Sequence, residues 1–406
     1  MRILHISSLY PPDQVGGAEV MVAGLAETQA ASGHQVAVAC ISRNEEPPTM
    51  RNGVVVYRTG YGTPSFILDR PQLSRFAWTH YKIAVQTNMY PVKKMAAAIR
   101  AFQPEIVNTH SLSELPPQVW PMAKNLGVSL VHTLHDYKSI CTKATMFRDG
   151  KTCDAQHLKC RLLTYAHYRC QFSVDAVTGV GTNILQRHLD ANLFRHIPGD
   201  LRRVIWNPVE HATRARTRHR DAREEVVFGF IGRIEPSKGA DLLLRACRKL
   251  TAAGWKLLVA GRAIDGLAHY QALAEGLPVE FVGFMERDDF FDRIDCLVVP
   301  AIWPEPFGRT VTEAYVRGVP VIGAQIAGVA EQIGEEQKEW LFPPGDVEAL
   351  ARSMAEVLAC PSRLTQKSPA MEAITARVTP QYITESYIDL YRATIEQPAR
   401  ERLAKE

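Results

Sequence analysis

The sequence predicts an α/β protein built from two doubly wound, Rossmann-like domains that face a central cleft. Its 406 residues are too many for one ordinary hydrophobic core and suit two domains of roughly 150 to 200 residues each. Short apolar runs alternate with amphipathic stretches, which is typical of a parallel sheet with helices on both faces. The alternation stops once near the middle and then restarts, so the two halves are expected to fold as separate units.

The first half contains five short apolar runs that predict β-strands. They cover residues 3–6, 35–40, 106–108, 129–132 and 176–180. Residues 202–208 and the charged run 211–225 then break the pattern and form the predicted linker. The first domain is therefore expected to span residues 1–205.

The second half repeats the pattern. Strands are expected at residues 226–232, 256–260, 279–282, 296–299 and 319–322, and helices at 239–253, 346–358 and 381–395. The second domain is expected to span residues 206–380, with a terminal helix at 381–406. Because ligands of doubly wound sheets bind at the carboxyl ends of the strands, function is expected in the loops that follow strands.

The bulk composition narrows the function classes. With 46% hydrophobic and 22% charged residues, the chain is near the globular average. A net charge of +4 suits phosphorylated ligands or an anionic membrane surface but falls short of a nucleic-acid signature. No apolar run reaches the ~18 residues of a bilayer span, and Pro11 and Pro12 end the first apolar run too early for a signal peptide. A cytoplasmic protein is expected, associated at most with the inner face of the membrane.

The turn after the first strand of the second half carries two cations. It reads Gly232-Arg-Ile-Glu-Pro-Ser-Lys-Gly239 and leads into a helix, whose positive end and free N–H groups favour an anion. Arg233 offers a planar fork to phosphate oxygens, and Lys238 adds a compact charge. The turn is interpreted as a diphosphate clamp, with a surface turn bearing two solvated cations as the alternative.

Two glutamates follow a later strand in the same way. Glu305 and Glu313 lie eight positions apart, before the helix stop at Gly318. If one helix covered both, they would sit up to ~12 Å apart and within roughly 80° of one face. Glu305 is expected to hydrogen-bond sugar hydroxyls, since a carboxylate beside a phosphate site needs such a partner. The alternative is a helix-start acid at Glu305 and a surface residue at Glu313.

Five motifs occur in order along nearly the whole chain. They are Gly16-Gly-Ala-Glu19, His135-Asp136, Trp206-Asn-Pro208, the Gly232–Gly239 turn and the Glu305/Glu313 pair. Together they resemble the retaining glycosyltransferases of family four, which have the GT-B fold. The resemblance implies an acceptor-binding first domain, a nucleotide-sugar-binding second domain and a terminal helix that crosses back to the first domain.

The resemblance also implies residue roles. Arg233 and Lys238 would hold the donor diphosphate, Glu313 the ribose hydroxyls and Glu305 the transferred sugar, while His135 would lie near that sugar. Further donor-binding residues are Gly16 and Gly17, whose missing side chains would allow close approach, and the segment Phe307, Gly308, Arg309, Thr310 and Val311 through its backbone amides. His110 and His132 are interpreted as structural.

The implied reaction transfers a sugar from a nucleotide diphosphate sugar to a glycan or lipid-linked acceptor with retention of configuration. The departing diphosphate would be stabilised by Arg233, Lys238 and helix ends. No Asp-x-Asp occurs, so no divalent metal and no other cofactor is expected. A bacterial surface-polysaccharide or glycolipid pathway is the expected setting, and donor base, sugar and linkage stay open.

Three other features stay open. The group Cys141, Cys153, Cys160 and Cys170, interleaved with His157 and His167, suits either a structural zinc or packed free thiols, and the spacing favours thiols. Basic and aromatic residues between 69 and 102 suit an anionic membrane or a lipid-diphosphate acceptor, or ordinary solvated helices. The linker cations Arg214, Arg216, Arg218 and Arg220 are interpreted as solvated charge.

Other functions on the same fold are weighed against transfer. A sugar-nucleotide epimerase or a phosphorylase would keep the cleft, although no pyridoxal lysine site is identifiable. A non-catalytic nucleotide-sugar-binding protein is disfavoured because Arg233, Lys238, Glu305 and Glu313 are all present, so each role that the resemblance implies has a matching residue. A nicotinamide oxidoreductase is disfavoured because the first strand is followed by a longer loop with two prolines instead of G-x-G-x-x-G.

Overall fold

The computed structural model describes residues 1–13, 16–63, 66–72, 74, 76–77, 81, 85–209, 225–263, 266–365 and 369–403. The chain forms two compact units. Unit 1 consists of Met1–Ala144, Ala155–Pro208 and Pro380–Glu406, and unit 2 consists of Thr145–Asp154 and Val209–Thr379. Residues 145–154, which the sequence pattern assigned to the first domain, thus group with unit 2. The predicted linker cations at 214–220 lie outside the described residues.

Unit 1 contains an eight-stranded sheet. Its strands are β1 (Arg2–Ser7), β2 (Gln35–Ser42), β3 (Thr49–Arg51), β4 (Val54–Gly60), β5 (Ile106–Thr109), β6 (Ser129–Leu134), β9 (Ala176–Gly179) and β10 (Arg202–Val204). Their order is β10-β9-β6-β5-β1-β2-β4-β3, parallel except for the antiparallel β3. The five predicted strands are all present, and this sheet has the predicted α/β character.

The helices of unit 1 cover both faces of its sheet, which explains why the strands are continuous apolar runs. They are α1 (Gly17–Ala31), α2 (Tyr90–Phe102), α3 (Val119–Asn125), α4 (Leu158–Leu163), α5 (Tyr165–Cys170), α6 (Thr182–Asp190) and α14 (Pro380–Leu403). The terminal helix α14 packs against α1 and β6. Tyr387 and Tyr391 on α14 are fully buried, and the Asn108 amide donates to the Tyr391 hydroxyl at 2.7 Å.

Unit 2 contains a six-stranded, all-parallel sheet. Its strands are β11 (Val226–Ile231), β12 (Trp255–Ala260), β13 (Val279–Gly283), β14 (Cys296–Val299), β15 (Val321–Ala324) and β16 (Leu341–Phe342). The order β13-β12-β11-β14-β15-β16 is the dinucleotide-fold order, which reverses direction between β11 and β14. The loops that follow β11 and β14 therefore lie side by side at the switch point of this sheet.

The helices of unit 2 connect these strands. They are α7 (Ala240–Cys247), α8 (Ala268–Ala274), α9 (Arg287–Arg293), α10 (Arg309–Tyr315), α11 (Ala327–Ile333), α12 (Val347–Ala359) and α13 (Pro369–Arg377). A separate hairpin pairs β7 (Phe147–Arg148) with β8 (Lys151–Thr152). The predicted helix 239–253 is wrong at its end, because the chain leaves α7 through tight turns at Lys249 and Leu250.

Candidate active site

The turn after β11 presents two cations with different surroundings. The Arg233 side chain is 62% exposed, and its guanidinium lies 3.2 Å from the Glu235 carboxylate. The Ser237 hydroxyl donates to the same carboxylate at 2.6 Å. The Lys238 side chain is only 21% exposed. Arg233 is therefore accessible to a ligand, whereas Lys238 is held by its neighbours.

Backbone contacts fasten this turn to the loop that follows β14. Gly239 has φ +76°, and a Cβ there would overlap the Pro300 carbonyl, so only glycine fits. The Ile302 N–H donates to the Ser237 carbonyl at 3.0 Å. The two loops at the switch point are thus held against each other.

Lys238, in the turn after β11, forms an ion pair with Glu305, in the loop after β14. The Glu305 side chain is 14% exposed. The Lys238 ammonium also lies 5.2 Å from the centre of the Trp303 ring, within the range of a cation–π interaction. The Trp303 indole N–H is buried without a hydrogen-bond partner among the residues with described coordinates. An ammonium, a carboxylate and an unused N–H donor therefore converge at the switch point of unit 2.

The loop from Glu305 to Gly308 is shaped by helix α11. The Gly328 N–H donates to the Glu305 carbonyl at 2.9 Å, and a Cβ on Gly328 would lie 2.8 Å from the Phe307 Cα. The Gln332 amide lies against Gly308, where it can accept from its N–H at 3.1 Å. The N–H groups of Arg309 and Val311 donate within the loop, to Phe307 and Gly308. Three of the amides expected to assist donor binding are thus already engaged in holding the loop.

Glu313 lies on α10 and is nearly buried, with 4% of its side chain exposed. The guanidinium groups of Arg287 and Arg309 each lie 2.8 Å from Glu313 Oε1. The alternative interpretation of Glu313 as a surface residue is wrong. Because α10 begins at Arg309, no single helix covers Glu305 and Glu313, and the spacing calculated for such a helix does not apply.

In unit 1, the glycine pair after β1 lies at the start of α1. Gly17 is the first residue of the helix, and the Gly16 N–H donates to the Glu19 carboxylate at 3.0 Å. Gly16 has an ordinary extended φ of −149°, and of the described atoms a Cβ there would meet only that carboxylate, at 3.7 Å. Neither backbone strain nor packing against the described residues requires a glycine at position 16.

Three histidines, one in β1 and one just after each of β5 and β6, form a hydrogen-bonded chain. The Gln29 amide oxygen lies 2.8 Å from His5 Nε2, His5 Nδ1 lies 2.9 Å from His110 Nε2, and His110 Nδ1 lies 3.0 Å from His135 Nε2. With this amide orientation each Nε2 carries the hydrogen, which leaves His135 Nδ1 as an acceptor. Burial lowers the pKa of His135 to about 3, and it lowers the pKa of His5 to about 4 against a smaller opposing effect of the Gln29 hydrogen bond. All three imidazoles are neutral at physiological pH.

Comparison with protein families covers both halves of the chain. The model "Glycosyl transferase 4-like domain" matches residues 16–228, and "Glycosyl transferases group 1" matches residues 212–373. An uncharacterized 42.6 kDa protein in the cps region of Klebsiella pneumoniae is 30% identical over 341 residues, which cover 82% of this chain and 87% of that protein. The chain belongs to the glycosyltransferase 4-like family.

Solved structures agree on the fold of this glycosyltransferase. Sucrose-phosphate synthase from Thermosynechococcus elongatus superposes with a TM-score of 0.76 at 20% identity, over 97% of this chain and 99% of that one. HepE from Anabaena, in complex with UDP and glucose, superposes with a TM-score of 0.65 at 17% identity, over 96% and 98%. These identities show the fold alone, which is the predicted GT-B fold of two Rossmann-like domains.

The open features of the glycosyltransferase sequence are partly answered. His110 and His132 are buried, and His132 Nδ1 lies 3.0 Å from the Thr109 carbonyl oxygen. No three metal-ligating side chains gather within the described part of the chain, where Cys141, Cys153, Cys160 and Cys170 are free cysteines. Over the same residues, no helix has the length and apolar character needed to cross a bilayer.

The basic and aromatic segment 69–102 is less open to solvent than its composition suggests. Arg75, Trp78 and Lys82 lie outside the described residues. Tyr81 is buried and donates to Glu114 at 2.6 Å, and Lys94 pairs with Glu45 at 2.7 Å. Of the described side chains in this segment, Phe76 is the most exposed aromatic, at 84%.

Sequence reasoning missed three side chains that the glycosyltransferase brings to these sites. Trp303 lies two positions before Glu305, so its position in the sequence could have indicated that it belongs to the same site. Arg287 is 26 positions before its partner Glu313, and His5 is 130 positions before His135. Their contacts arise from the tertiary fold, so no local pattern announces them.

Proposed function

We propose that the chain is a retaining glycosyltransferase that moves a sugar from a nucleotide diphosphate sugar to a glycan or lipid-linked acceptor. One observation carries the proposal: Lys238 and Glu305 pair where the loops after β11 and β14 meet. Ligands of open α/β sheets bind at this switch point. An accessible Arg233 beside the pair adds a second cation for a diphosphate.

The proposal divides the work among four side chains. Lys238 and Arg233 stabilise the negative charge that grows on the departing diphosphate, together with the N-terminal end of α7. Glu305 accepts hydrogen bonds from hydroxyls of the transferred sugar, and its ion pair with Lys238 offsets its negative charge beside a phosphate site. Glu313 accepts from the ribose hydroxyls, because a carboxylate has about four acceptor sites and its two arginine contacts involve one oxygen.

Unit 1 is proposed to supply the acceptor side of the reaction. His135 is partly exposed and neutral, so its Nδ1 accepts a hydrogen bond from a sugar hydroxyl without adding a charge. Gly16 and Gly17 leave room for the donor diphosphate or the acceptor at the start of α1. The departing phosphate is proposed to take the acceptor proton during attack on the same face of the sugar, which gives retention. No protein carboxylate serves as nucleophile.

The first experiment is a screen of uridine, guanosine and adenosine diphosphate sugars by thermal shift. One donor is expected to raise the melting temperature, because a ligand that binds only the folded state stabilises it. The matching nucleoside diphosphate should do so too. A chain whose melting temperature responds to none of these ligands at millimolar concentrations would contradict the proposed donor site.

Replacing Glu313 with alanine should weaken donor binding more than it slows transfer. Loss of hydrogen bonds between a carboxylate and two hydroxyls should lower donor affinity by about 10- to 100-fold. Titration calorimetry with the donor, and kcat at saturating donor, check this. Glu348→Ala is the matched control, because Glu348 is a 62% exposed acid of unit 2 that pairs with Lys249. Unchanged donor affinity in Glu313→Ala would refute the assigned role.

Transfer is expected to be independent of divalent metal. Cations of the protein, Arg233 and Lys238, take the part that a metal plays at a diphosphate in other enzymes. Activity in excess EDTA should equal activity in untreated buffer. Loss of activity in EDTA with recovery on adding manganese would show that the two side chains do not suffice.

A further inference from the structure

A group of apolar side chains is exposed between residues 158 and 172, on helices α4 and α5 and in the turn that follows them. Helix α4 buries none of its residues, and Leu158, Leu162 and Leu163 are 72%, 68% and 48% exposed. Leu158 and Leu162 are one turn apart, so they lie on the same face of the helix. A helix with three exposed leucines and no buried residue gains nothing from the core of its own unit, which points to a partner.

Three exposed aromatic residues follow α4 along the chain. The ring centres of Tyr165 and Tyr168 are 6.2 Å apart, and those of Tyr168 and Phe172 are 6.3 Å apart. The three residues are 55%, 40% and 61% exposed. The two tyrosine rings present an apolar body with a polar hydroxyl tip and the phenylalanine ring adds apolar surface, which suits the boundary between lipid headgroups and acyl chains.

The charges on this surface have one sign. Lys159, Arg161 and Arg169 are exposed, and none forms an ion pair within the described coordinates. No aspartate or glutamate occurs from residue 155 to residue 174. Cations interleaved with exposed apolar groups, without any acid, complement an anionic lipid surface.

We infer that the exposed face of residues 158–172, here called the α4–α5 surface, seats this protein on an anionic phospholipid membrane. A second copy of the chain fits this surface less well, because a twofold dimer would set its three cations against the same three cations. The basic and aromatic segment 69–102 is less suited than this surface to contact a membrane, because Tyr81 is buried and Lys94 is paired. The inference goes beyond the proposed transfer reaction and needs neither donor nor acceptor.

The test is cosedimentation of the full chain with vesicles, without any sugar nucleotide. Binding is expected to vesicles of equal parts phosphatidylglycerol and phosphatidylcholine, to fall with added salt, and to be weak on phosphatidylcholine alone. Replacing Lys159, Arg161 and Arg169 with glutamine should lower the partition coefficient by roughly 100-fold, at about fivefold per cation. The pair Leu158→Ser and Leu162→Ser should lower it by at least about tenfold.

Matched variants keep the inference falsifiable. Phe76→Ser with Lys93→Gln changes an exposed aromatic and an exposed cation of the 69–102 segment, and Met50→Ser removes a 68% exposed side chain elsewhere in unit 1. Both should bind vesicles like the unaltered chain, and every variant should keep its melting temperature. The inference is overturned if the unaltered chain does not bind anionic vesicles or if the leucine pair leaves binding unchanged. It is also overturned if the leucine pair only converts a dimer to a monomer in sedimentation velocity. Since the assay contains no substrate, failure of the proposed reaction would leave its outcome intact.

Discussion

Lys238→Ala should lower kcat by roughly 100- to 1,000-fold, the loss expected when one charge-stabilising group is removed from a preorganised site. The ammonium is fixed by the Glu305 carboxylate and the Trp303 ring, so it needs no reorganisation as charge develops on the leaving diphosphate. Its removal also leaves the Glu305 carboxylate without its cation. That carboxylate then repels the negative charge that grows on the diphosphate. Steady-state kinetics with the donor found by thermal shift measure the effect.

Two further variants of the Lys238 experiment separate charge from folding. Lys249→Ala removes a 45% exposed lysine of unit 2 that pairs with Glu348, and it should leave kcat unchanged. Lys238→Arg retains the charge but not its compact shape, and an intermediate rate is expected. If Lys238→Ala kept more than about half of the original kcat with normal stability, the assigned role would be wrong.

Stability should fall steeply as the pH drops below the ordinary histidine pKa of 6.5. Burial lowers the pKa of His5 and His188 to about 4, and that of His167 to about 3, with smaller contributions from Lys138 and His188 at His167. Between these values and 6.5 the unfolded chain binds more protons than the folded one. The stabilisation by neutral, buried imidazoles is therefore complete above pH 6.5 and is lost as the pH falls toward 4.

The expected magnitude is large for a folded protein. One pH unit below 6.5, each of the three histidines lowers the free energy of unfolding by about 1.4 kcal/mol, and together by about 4 kcal/mol. Urea denaturation at pH 7.5 and pH 5.5 should show at least this difference, because the pKa of His135 is lowered by burial as well. His188→Gln should reduce the pH slope by about one proton while the slope due to the others persists. Equal stability of the unaltered chain at both pH values would contradict the buried, neutral state of these histidines.

The fold was largely predictable because the strands of both sheets are buried on two faces. Such strands appear as continuous apolar runs, and all ten expected strands are found. The strands that were missed are short or lie toward a sheet edge, such as the three-residue β3 and the two-residue β16. An edge strand of this kind is held by pairing with a neighbour and needs little apolar pattern of its own. The predicted two-unit organisation followed from the break at 211–225.

The site was predictable only where its residues follow a strand directly. Arg233, Lys238 and Glu305 follow strands that the sequence revealed, and the strand order brings Lys238 and Glu305 together. The buried pairing of Glu313 with Arg287 was not predictable, because it depends on how α9 packs beside α10. The same holds for the chain from Gln29 to His135, which joins α1, β1 and two later loops. The sequence motif indicated His135 by itself, whereas the structure shows that its ring is held by a hydrogen bond with His110.

The most direct test of the central claim is proton NMR of the reaction with the identified donor and acceptor. Nucleoside diphosphate and glycoside product are expected to appear together, only when the acceptor is present, and the new linkage should keep the anomeric configuration of the donor. Conversion of the donor to another sugar nucleotide without release of nucleoside diphosphate would indicate an epimerase. A product of inverted configuration would contradict the proposed same-face attack.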